Sequence, residues 1–157
     1  NAAWYETTAM SHTGVAAAKA VGRARGIGTV DVYIAAENGT PEEELMEEVR
    51  EDLAAKREIA VDVQVKAPTE KTVDVTVELD VGDGDFSTIK TEAEQMLLGF
   101  FSGRLLGLPV RLAELGDKLY HLEGVENYRI VSPAEDMDGD ATVLPVLGEM
   151  TVTQMGA

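Results

Sequence analysis

The sequence predicts an α+β fold built as two small modules, each a mixed or antiparallel sheet packed against amphipathic helices. Three observations predict it. Residues 71–81 (KTVDVTVELDV) alternate strictly, with Val73, Val75, Val77, Leu79 and Val81 on one side and Thr72, Asp74, Thr76, Glu78 and Asp80 on the other. That is the period of a strand, and one charged face means a sheet wetted on one side, which argues against a doubly wound parallel sheet. Three other segments place apolar residues at helical spacing. Finally, a helical tail leads into a Gly-Val step and then a strand twice, at Gly14-Val15 and at Gly124-Val125.

Taken in order, residues 1–68 read as a first module: an N-terminal tail, two strands, a helix and a strand. The tail precedes a strand in the stretch VAAAKAV, and residues 28–36 (GTVDVYIAA) alternate like 71–81. Between these strands, Arg23-Ala24-Arg25-Gly26-Ile27-Gly28 reads as a glycine-permitted hairpin connection carrying two solvated arginines. Thr40-Pro41-Glu42-Glu43 forms a capping box, with proline suited to the first helical position. The helix it opens has an inward stripe of Leu45, Met46, Val49, Leu53 and Ala54. Glutamates at its start and Lys56 and Arg57 at its end match the helix dipole. Residues 61–66 (VDVQVK) close the module as a strand.

Residues 69–157 read as a second module: a strand, two helices, and two strands joined by an acidic loop. The helices are expected over 87–102, with Ile89, Ala93, Met96, Leu97 and Phe100 inward, and over 111–121, with Leu112, Leu115, Leu119 and Leu122 inward. The Pro-bearing acidic stretch 132–148 is expected to be an exposed loop and the most mobile part of the fold. The sequence lacks an initiator Met and opens abruptly at Trp4, the pattern of a piece of a longer polypeptide in which Asn1-Ala2 is a cloning remnant.

Composition narrows the function classes. Lys+Arg 13 against Asp+Glu 29 gives a net charge of -16, which repels phosphate and the anionic face of a membrane. With Cys 0 there is no thiol catalysis, zinc knuckle or iron–sulfur ligation. No apolar run approaches the roughly 20 residues of a membrane span.

Motifs for catalysis fail in turn. Gly99-Phe100-Phe101-Ser102-Gly103 has its serine one place late for a nucleophile elbow. His12 and His121 lack metal-ligand spacing, and His121 reads as a helix-end residue. The G-x-G of Gly26 to Gly28 opens a strand, so no helix N-terminus faces an anion. Asp136, Asp138 and Asp140 alternate as a calcium loop does, but an EF-hand needs Gly at its sixth position and Glu at its twelfth, where Ala141 and Leu147 stand. No cofactor is expected. An acidic Ca²⁺-binding module using the three aspartates is the alternative reading, and a small hydrolase stands behind it.

A series of segments carries a resemblance. Gly14-Val15 precedes a strand; Gly26-Ile27-Gly28-Thr29-Val30-Asp31-Val32-Tyr33-Ile34 leads to Gly39-Thr40-Pro41 opening a helix; then come VDVQVKAP at 61–68 and residues 72–77. Gly107-Leu108 with a leucine-spaced helix, Gly124-Val125 and Leu144-Pro145-Val146-Leu147-Gly148-Glu149 complete it. In this order, over about residues 10–155, the chain resembles the C-terminal part of the baseplate J-like family, the tail baseplate wedge proteins of Mu-like and related contractile-tailed phages and prophages. The resemblance rests on the order of segments rather than on any one motif.

It implies a structural, non-catalytic subunit of the virion tail baseplate, assembled in the host cytoplasm. It also implies that other wedge and hub proteins are its partners, with a homo-oligomer among the expectations and neither nucleic acid nor membrane. Candidate contact residues, drawn from exposed aromatics and the acidic loop, are Trp4, Tyr5, Tyr120, Tyr128 and Asp138.

Overall fold

The computed structural model describes residues 1–157 and contains four α-helices and six strands, with one 3₁₀ turn at Gly103–Leu105. The strands form two three-stranded mixed sheets, one in each of two compact units. Unit 1 comprises Asn1–Lys71 with two later excursions, Ser102–Leu108 and Gly139–Leu144; unit 2 comprises Thr72–Phe101, Pro109–Asp138 and Pro145–Ala157.

Unit 1 begins with helix α1 (Ala2–Met10), the helical tail that the sequence places before Gly14-Val15. Asn1 caps it, its side-chain oxygen accepting from the Ala3 N–H at 2.9 Å. The helix has no amphipathic stripe to announce it; Tyr5 and Ala9, four residues apart, are buried in the unit core, so packing rather than pattern makes the helix. Strand β1 (Ala17–Gly22) pairs antiparallel with β2 (Thr29–Ala35), which pairs parallel with β3 (Asp62–Lys66). Helix α2 (Glu43–Lys56) makes the crossover that a parallel pair requires. Val32 and Ile34 of β2 meet Met46, Val49 and Leu53 of α2 and Val65 of β3 in the core, whereas Ala54, expected in the stripe, is exposed.

The capping box at Thr40 does not form. The cap position of α2 is Glu42, with no side-chain hydrogen bond, and the Thr40 hydroxyl instead donates to Glu70 Oε1 at 2.5 Å.

Unit 2 is built on β4 (Thr69–Asp80), whose Val73, Val75, Val77 and Leu79, continued by Val81, are all buried. Helix α3 (Phe86–Phe100) adds Ile89, Ala93 and Leu97 to this core, and α4 (Leu112–Tyr120) adds Leu115 and Leu119. Strand β5 (Asn127–Ser132) pairs antiparallel with β4, with a register shift at Thr76/Val77. Strand β6 (Val143–Gln154) lies on the other side of β4. It begins well before Gly148, so the expected loop over 132–148 ends early; fully buried Leu144 shows why, because the apolar run there supplies a core-facing residue.

The Gly-Val repeat is a shared local motif. After α1, the Val15 N–H donates to His12 O at 3.2 Å with Gly14 at φ 100°; after α4, the Val125 N–H donates to Leu122 O at 3.2 Å with Gly124 at φ 90°. Each helix thus ends in a turn whose positive φ requires glycine before the chain extends into a strand.

Candidate interaction surfaces

The residues expected to form contacts separate into three environments. Trp4 on α1 is 41% exposed and stacks edge-on to Tyr5, ring centroids 4.9 Å apart. Tyr5 is not an exposed aromatic: at 4% exposure it belongs to the core, because it lies on the inward side of α1. Burial pushes its hydroxyl pKa up, and Glu58 adds to the rise against an opposing pull from Arg57. Tyr120 at the end of α4 is 54% exposed and sits edge-on to half-buried Tyr128 at 6.5 Å. A Cβ on Gly116 would overlap the Tyr128 hydroxyl, so that glycine makes room for the ring on α4.

The acidic loop is organised by its own backbone. Asp136 Oδ1 accepts from the Leu112 N–H at 2.8 Å and so caps α4, while Asp140 Oδ1 accepts from both the N–H and the hydroxyl of Thr142 at 2.8 Å. The backbone bond from Thr142, then its hydroxyl, holds the Asp140 carboxyl below its ordinary pKa. Asp138 is exposed. No group of three or more His, Asp or Glu side chains is arranged to hold a metal ion, and Asp136 and Asp140 each give one carboxylate oxygen to a backbone amide.

Both histidines lie at helix ends. His121 Nδ1 contacts the Asp117 carbonyl at 2.7 Å on an exposed ring. His12, in the turn after α1, bridges to α2: Nδ1 lies 3.1 Å from Glu48 Oε2 and Nε2 lies 2.8 Å from Asp52 Oδ2. Only the protonated ring donates to both carboxylates, so the geometry uses His12 as a clasp between the two helices. Lys56 first, and His12 second, hold the Asp52 carboxyl below its ordinary pKa.

Two features of unit 1 escaped the sequence reading. The first is an ion cluster on the face of the sheet opposite Val32. Asp31, 2% exposed, receives Arg25 Nε at 2.7 Å and Lys66 Nζ at 2.8 Å, and Arg25 Nη1 reaches Asp62 Oδ2 at 2.5 Å. Arg25, expected as solvated, is exposed and yet tied by its guanidinium to both carboxylates. Burial alone would raise the Asp31 carboxyl, but hydrogen bonds from Lys66 and Arg25 outweigh it and bring its pKa below the usual 3.8.

The second is a pair of exposed isoleucines. Ile27, in the β1–β2 connection, is 90% exposed, and Ile59, in the α2–β3 connection, is 99% exposed. Their loops are neighbours: the Asp62 N–H donates to Gly28 O at 2.8 Å, and Ala60 O faces the α-carbon of Gly28. The available signal was a large β-branched residue between two glycines, where a turn has no packing use for one.

Comparison with known proteins adds the following. Residues 1–67 match the family model described as the Baseplate J-like central domain. The match thus covers most of unit 1 and leaves residues 68 onward outside it. No curated protein sequence matches significantly. Among solved structures, a chain of the six-fold symmetrised cryo-EM structure of the anti-feeding prophage baseplate superposes with a TM-score of 0.70 at 10% identity, over 92% of this chain and 36% of that one. The chain therefore shares that fold and spans about a third of the length of the protein it matches.

Proposed function

We propose that this chain, whose residues 1–67 match a Baseplate J-like central domain, is a structural subunit of the tail baseplate of a contractile phage, prophage or related particle. The observation that carries the reading is the coincidence of that match with a self-contained folded unit, in a chain whose fold recurs over nearly its whole length in a baseplate protein. The subunit works by burying surface against neighbouring baseplate proteins, wedge and hub components among them, and its role makes or breaks no bond. A charge of -16 keeps the free subunit soluble, disfavours nucleic acid and membrane as partners, and suppresses wrong contacts until a complementary surface arrives. No helix is long and apolar enough to cross a membrane.

The test is particle composition. Tail particles purified from the host cell, probed with an antibody raised against this chain, are expected to carry it together with sheath and tube proteins, with gold label at the baseplate end. Expression of the chain in cells whose purified particles contain none of it would overturn the reading.

A further inference from the structure

From the surface of unit 1 alone, and independently of the baseplate reading, we infer that the loop end bearing Ile27 and Ile59 docks head-to-tail on the outer groove of α2 of a second copy of this chain. The docking end is built in advance. Arg25 ties the hairpin to Asp31 and Asp62, and the Arg57 guanidinium donates to Val61 O at 2.6 Å across its own loop. Two almost fully exposed isoleucines on loops fixed in this way lose little further freedom when buried.

Arg23 marks the same end. It is the one residue other than glycine with a positive φ, 60°, and its side chain makes no ion pair. Glycine would relieve the backbone at that position, and the arginine that stands there instead puts an exposed cation in the same connection as Ile27. Arg57, hydrogen-bonded to carbonyls rather than carboxylates, adds a second positive charge beside Ile59. Glu58, exposed between Arg57 and Ile59, offsets one of these charges, so the docking end joins apolar surface to a small cationic excess on a chain of net charge -16.

Its complement lies on the same unit. The outer side of α2 and the turn at Thr13 enclose a shallow groove in which Leu45 is flanked by glutamates, of which Glu42, Glu44 and Glu51 have no cationic partner. Topology sets the two surfaces apart. Strand β3 runs parallel to β2, so α2 must travel back along the sheet, starting near the end where β2 finishes and finishing near the end where β2 starts. At about 1.5 Å per residue that displaces the groove at the helix start from the loop end by roughly 20 Å. Surfaces set apart in this way let the loop end of one copy seat on the groove of the next, the head-to-tail contact inferred here.

Complementation tests this on the whole 157-residue chain by sedimentation velocity. The parent is expected to associate in a concentration-dependent way. Ile27→Ser/Ile59→Ser, lacking the docking end, and Glu44→Lys/Glu51→Lys, lacking the groove, are each expected to associate about a hundredfold more weakly. Mixed together they are expected to form 1:1 pairs, because each retains the surface the other has lost. Arg23→Gly serves as the folding control: it is expected to melt no lower than the parent and yet associate several-fold less tightly. A parent that stays monomeric up to about 1 mM, an isoleucine variant that associates like the parent, or a mixture that yields no pairs would each overturn the inference.

Discussion

Replacing Asp31 by asparagine tests whether the buried ion cluster contributes to the stability of unit 1. The carboxylate receives two charge-assisted hydrogen bonds, from Arg25 Nε at 2.7 Å and Lys66 Nζ at 2.8 Å. Each such bond contributes about 1.5–3 kcal/mol, an upper bound of roughly 3–6 kcal/mol for the pair. Several effects reduce it. Desolvating the carboxylate already costs the parent several kcal/mol. The cations left behind, with side chains 25% and 37% exposed, can turn to water instead of being stranded. The amide that replaces the carboxylate also retains one acceptor oxygen. The expected net loss for Asp31→Asn is about 2 kcal/mol, a fall in Tm of about 8–16 °C for a unit of this size. Because the folded-state pKa of Asp31 lies below its unfolded value of 3.8, the contribution is fully present above that value and is lost as the pH falls through the folded-state pKa. Thermal unfolding followed by circular dichroism should therefore show a gap between parent and variant that is constant near neutral pH and narrows below about pH 4. A Tm within about 2 °C of the parent at neutral pH would refute the reasoning, and so would a gap that widens on acidification.

Three further outcomes are expected. Gly103→Ala places a Cβ against the Ala36 carbonyl oxygen, backbone against backbone with nothing flexible to yield, and should cost more than about 3 kcal/mol in urea unfolding. Asp136→Ala removes the acceptor for the Leu112 N–H and should lower stability by about 1 kcal/mol, while millimolar calcium should leave the Tm of the parent unchanged. His12→Ala severs both contacts between the turn after α1 and α2; a loss of about 1–2 kcal/mol should be reported by the fluorescence of Trp4, the sole tryptophan and a residue of α1.

What the sequence made legible is what its local period encodes. Strand β4 could be read residue by residue because alternation sorts its side chains before any neighbour is known, and Val73 to Val81 fell on the buried side as the pattern required. The stripes of α3 and α4 were legible for the same reason. Helix α1 was legible only as a helical tail before Gly14, without its inward face, since its only buried residues are Tyr5 and Ala9 and its outward residues form no periodic polar face. Consequently Tyr5 was taken for a surface aromatic when it is a core anchor.

The candidate surfaces failed to show for a related reason: exposure depends on pairing between distant segments. Period two correctly placed Asp31 opposite Val32, but a polar position opposite the core is read as wet, and only Lys66 and Asp62, more than thirty residues away, turn that position into a closed ion cluster. The same cluster engages Arg25 and leaves Arg23 without an ion pair, a distinction that two arginines two residues apart cannot reveal by themselves. Ile27 and Ile59 lie thirty-two residues apart in sequence and become neighbours only through the parallel register that sets Thr29 against Asp62. Sequence period thus tells which face of an element points inward, whereas strand pairing decides which loops share an end of the sheet. A docking surface made of loops is encoded in the second kind of information, and it becomes visible only once the fold is known.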